Sequence, residues 1–180
     1  MGYHISWIGF QNRSLKEISA RIGLAETGAR EHLPESDILA ISLASGWHII
    51  FFNNPLPKEL KNANLEQLSR VVDIVTCLVE EASMVSMSSS YVNGVKQWRV
   101  AHDSERGHTN LEAQGNPPSG YPEIRDKLLA KQNAAGPNGV DYVFDVPINL
   151  ARHLTGFRHD DPFDESEEPQ FLVLRRIEQT

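Results

Sequence analysis

Cysteine is nearly missing from this 180-residue chain: Cys77 stands alone. No internal disulfide can form, which fits a reducing compartment such as the cytoplasm. Long apolar runs are missing as well. None approaches the roughly 18 residues that a membrane helix needs, so no membrane partner is expected. The opening residues MGYHISWIGF lack the basic-then-apolar order of a secretory leader. They match the M-G-x-x-x-[ST] acylation pattern through Gly2 and Ser6, but read better as a first strand. Glycine-rich phosphate loops and Gly-x-Ser-x-Gly elbows are also missing. No cofactor is expected, and no serine is marked as a nucleophile.

Basic charge is in short supply. The formal charge is −7, and the run Asp160–Pro169, DDPFDESEEP, holds six acids and no base. Without that run the remainder carries −1, so the acidity is local. Phosphate contacts need clustered Lys and Arg, so no nucleic acid is expected as a partner. What is present is ordinary globular material, 40% hydrophobic and 23% charged. It is enough for one α+β domain over 1–180. We read a sheet-rich part over 1–114, then C-terminal helices, an acidic loop and a last strand over 115–180.

The elements follow from local pattern. GYHISWIGF is rich in strand-forming residues. Ser14 and Glu17 form a capping box, and Leu15, Ile18 and Ile22 share one helical face that ends at Gly23. DILAISLASGWHIIFFN reads as a hairpin around Ser45-Gly46, which sets Ala40 opposite Phe51 and Ile41 opposite Ile50. A short helix with Leu65 and Leu68 inward precedes a central strand over 71–80. Asn93-Gly94 marks a two-residue hairpin turn. That turn predicts Met87 opposite Val100 and Val85 opposite His102 on an apolar face. It leaves Ser86, Ser88 and Ser90 on a wet one. Helices follow over PEIRDKLLAKQNAAG and PINLARHLTG, with VDYVFDV extended between them and FLVLRRIE as a last strand. The sheet is expected to be mostly antiparallel. Its β-α-β-β-α-β order through residue 80 suggests a ferredoxin-like core, extended by the later hairpin and covered by the C-terminal helices.

Several groups carry candidate chemistry. His102, Asp103 and His108 in WRVAHDSERGHTN offer metal-ligating types, although no established zinc spacing is met. The stretch reads first as strand, turn, strand, and second as a metal-assisted hydrolase site. The acids Asp160, Asp161, Asp164, Glu165, Glu167 and Glu168 miss the calcium-loop pattern and read as a solvated surface for a basic protein. Cys77 sits mid-strand as a small hydrophobe. Trp47 and Phe51 are interface anchors if the C-terminal helices leave them open, and core if those helices cover them. An open Trp47/Phe51 face would also suit a homo-oligomer. The leading expectation is a non-catalytic, surface-acting binding protein that neutralises a basic partner. Immunity proteins offer an analogy for that role.

Overall fold

The structure is a computed structural model and describes residues 2–136, 139–162 and 168–178. Among these residues there are nine strands and four α-helices. The strands are β1 (His4–Phe10), β2 (Leu24–Glu31), β3 (Ile38–Ser42), β4 (His48–Phe52), β5 (Ile74–Glu80), β6 (Val85–Val92), β7 (Val95–Asp103), β8 (Glu112–Gly115) and β9 (Phe171–Arg176). The helices are α1 (Leu15–Arg21), α2 (Asn62–Leu68), α3 (Tyr121–Ala135) and α4 (Asp145–Thr155). All strands join one antiparallel sheet in the order β2-β9-β3-β4-β1-β5-β6-β7-β8. The fold is therefore α+β.

The ferredoxin-like expectation is not confirmed. The four strands it invoked lie side by side as β5-β1-β4-β3, yet α1 delivers the chain to β2 at the far edge. β9 then enters between β2 and β3. Sequence pattern misses β2 because LAETGARE shows no apolar alternation. Only its first residue, Leu24, is buried.

Over the central strands both faces of the sheet are apolar, and each is covered by helices. Ser14 caps α1 by accepting from the Glu17 amide at 3.2 Å, and Ile18 enters the core. Leu65 and Leu68 of α2 join the same cluster, against Ile8, Phe10, Ile50 and Phe52. On the opposite face α4 lays Ile148 and Ala151 over Trp7, Phe51, Cys77 and Val79. α3 stacks outside it, with Leu128 and Tyr121 meeting Trp98, Val100 and Leu150. VDYVFDV is not a strand. Val143 and Phe144 are buried in a turn, and α4 already begins at Asp145. A short apolar run has no periodicity to separate a strand from a buried turn and helix.

Both hairpins depart by one residue from the simple register. In the first, Leu39 pairs with Phe51 and Ala40 with Ile50. The loop is three residues long, with Gly46 at φ 87° and the Leu43 amide donating to the Trp47 carbonyl. In the second, Asn93 and Gly94 take φ of 51° and 81°, as a type I′ turn requires, and Val92 faces Val95. A bulge then inserts Gln97, so Trp98 faces Ser90, Val100 faces Ser88 and His102 faces Ser86.

A one-residue slip exchanges the faces of the partner strand. Ser86 and Ser88 are thus fully buried with Val100 and His102 under α4, not wet. Ser86 Oγ donates to the Phe144 carbonyl at 2.6 Å, and Ser88 Oγ has no partner among the described residues. The two serines should therefore respond oppositely to truncation. Ser86→Ala should cost about 1–2 kcal/mol, while Ser88→Ala should be neutral or stabilise by up to about 1 kcal/mol. Urea unfolding of the two variants checks this. Equal shifts of one sign would contradict the bulged register.

Candidate functional site

His102 is the centre of a buried polar cluster at the end of β7. β7 carries it inward, and its ring is fully buried. Its Nδ1 lies 2.6 Å from the carbonyl oxygen of Asn110, and its Nε2 lies 2.9 Å from Asp141 Oδ2. Both partners are acceptors, whereas a neutral imidazole has only one N–H. The two contacts together need a second proton, shared between His102 Nε2 and the carboxyl of Asp141. Asp141 is itself almost buried, and its Oδ1 accepts from the Phe144 amide at 3.2 Å where the chain enters α4. His108, half exposed, places Nδ1 3.6 Å from the same Oδ2. One carboxylate thus stands between two imidazoles and ties β7, the Asn110 loop and the start of α4 together.

Asp103 is not part of this arrangement. It caps the turn at Ser104–Arg106 by accepting from the Glu105 amide, and pairs with Arg106 at 3.2 Å. The expected trio His102, Asp103 and His108 does not converge, because Asp141 stands where Asp103 was expected. Among the described residues no three His, Cys, Asp or Glu side chains group so as to hold a metal ion. Asp141 lies 39 positions from His102, so no local motif could have revealed it.

The remaining candidates separate by burial. Cys77 is buried at the middle of β5, and burial pushes its thiol up to about 12, against attack on a substrate. Phe51 is only 2% exposed and packs edge-on to Phe157, with ring centroids 6.5 Å apart. The C-terminal segment covers it, so Phe51 is core and not an interface anchor. Trp47 is half-buried and lines an open groove with Arg13 and Arg70.

The acidic run starts from a fixed base. Arg158 reaches Asp160 at 2.5 Å and Asp145 at 2.9 Å, and Arg152 reaches Asp161 at 2.9 Å. Burial works most strongly, to raise the Asp160 carboxyl, but the hydrogen bond to Arg158 together with the nearby charges of Arg158 and His159 turns the net direction down. The neighbouring His159 is buried edge-on to Tyr3, and burial lowers its pKa. Glu168 is exposed, while Asp164, Glu165 and Glu167 lie outside the described residues. No protein-family model matches the chain, nor does any curated protein or solved structure.

Proposed function

We propose that this chain is a protein-binding module that acts without catalysis and neutralises a basic partner through its acidic run. The carrying observation is the anchoring of that run at the end of α4. Arg152 and Arg158 hold its first two acids, Asp161 and Asp160, against the helix. Four more acids and no base follow within the run. Charge concentrated in this way raises association rates with a cationic surface and disfavours acidic competitors.

The test is a pull-down with the immobilised chain, compared with the Asp164→Asn/Glu165→Gln/Glu167→Gln/Glu168→Gln variant. We expect a basic protein to be retained at low salt and released at about 0.5 M salt, where screening acts over only a few ångströms. The variant should lose that protein. Identical recovery by wild type and variant would remove the proposal.

A further inference from the structure

The chain is acidic as a whole, yet the groove between α3 and α4 is basic. On α3 it is lined by Ile124, Lys127, Leu128 and Lys131, and on α4 by Arg152 and His153. The α3 residues follow an i, i+3, i+4, i+7 spacing and so form one stripe. The groove measures about 470 Å³, and no carboxylate lines it among the described residues. Ile124 and Leu128 supply an apolar floor, with Leu128 belonging to the core beneath.

Two of these side chains have a local explanation. Arg152 and His153 sit in the last turn of α4, where positive charge suits the helix dipole. Lys127 and Lys131 have no such helix-end role, since they lie in the middle and later part of α3. Lys131 stands 5.6 Å above the Tyr142 ring, and Lys127 has no ion pair among the described residues. Like charges four apart on a helix repel, so the pair does not help α3 to form. The groove rim already holds one carboxylate: Asp161 of the chain itself, 2.9 Å from Arg152.

We propose that the α3/α4 groove is a second docking site, for an acidic peptide segment of a partner protein. The partner's carboxylates meet Lys127 and Lys131, one apolar side chain rests on Ile124 and Leu128, and Asp161 competes for Arg152. This site is opposite in charge to the acidic run and meets it only at Asp161, which the run variant tested above leaves in place. Its failure would leave the reading of the run intact.

Fluorescence anisotropy with a labelled octaglutamate peptide tests the proposal, with its all-glutamine counterpart as control. At about 20 mM salt we expect saturable binding of the glutamate probe alone, weakened markedly at about 200 mM. Lys127→Glu/Lys131→Glu should lower affinity about ten-fold or more, and Lys127→Gln/Lys131→Gln by less. Asp161→Asn should raise affinity a few-fold by freeing Arg152. All these positions are exposed or half-exposed, and a native circular dichroism spectrum confirms folding of each variant. Absence of saturable binding overturns the proposal, as does affinity indifferent to both lysine variants. It also falls if the lysine variants abolish self-association in sedimentation while the peptide does not bind, because the occupant would then be a second copy.

Discussion

Asp141→Ala should destabilise the protein by about 3–5 kcal/mol, the range expected when one partner of a buried carboxyl–imidazole pair is removed. The loss has several sources. His102 Nε2 loses its acceptor in a fully buried site. The Phe144 amide loses the oxygen that sets the entry to α4, and His108 loses its nearby carboxylate. Asp141→Asn keeps the shape and an oxygen for the Phe144 amide, and should cost less. A second variant separates charge from shape. With His102→Phe in the same chain no buried imidazole is left without its acceptor, so the double variant should fall short of the summed single losses by about 1 kcal/mol or more. Urea unfolding measures all four proteins. Losses below about 1 kcal/mol for Asp141→Ala, or strict additivity, would show that the cluster does not hold β7 to α4.

Phe51→Ala should cost about 3–5 kcal/mol, as for other buried aromatics replaced by alanine. The ring is packed between the sheet and Phe157, among Trp7, Ile49 and Ile148. Helix α4 packs along β5, β6 and β7 and is itself buried along a wide stripe, so little collapse into the vacated space is open to it. Trp47→Ser, at a half-buried position, should cost much less. The comparison distinguishes core from interface. A Phe51→Ala protein of native stability but altered mass in solution would restore Phe51 to a surface role.

These two residues also mark how far the sequence could be read. Turn chemistry is local, so Asn93-Gly94 and its Val92–Val95 pair were legible, as was the Ser14 cap. The bulge at Gln97 was not. Nothing in VKQWRV distinguishes a bulged strand from a regular one, and the slip exchanged the serine face of β6 between water and core. Trp98, Val100 and His102 were rightly placed together on a buried face, because a bulge at Gln97 does not disturb the alternation beyond it. Asp141 was illegible for a different reason: its partner is chosen by the docking of α4 on the sheet, a contact between distant segments. The acids of 160–168 were evident as composition. The attachment of Asp160 to Arg158 and of Asp161 to Arg152 depends on where α4 ends, at the left-handed Gly156.

The place of β9 has a consequence for how the chain is made. Residues 171–176 lie between β2 and β3, so they separate two strands completed more than a hundred residues earlier. Until β9 emerges from the ribosome, the nascent chain presents Ile38–Ser42 as an open hydrophobic edge, which is a template for unwanted pairing. Closing that edge is a contact of long sequence separation, and such contacts form late and slowly. One part of this sheet is thus finished only after more than a hundred further residues have been made, when Leu172 and Val173 pair with Ala40 and Leu39.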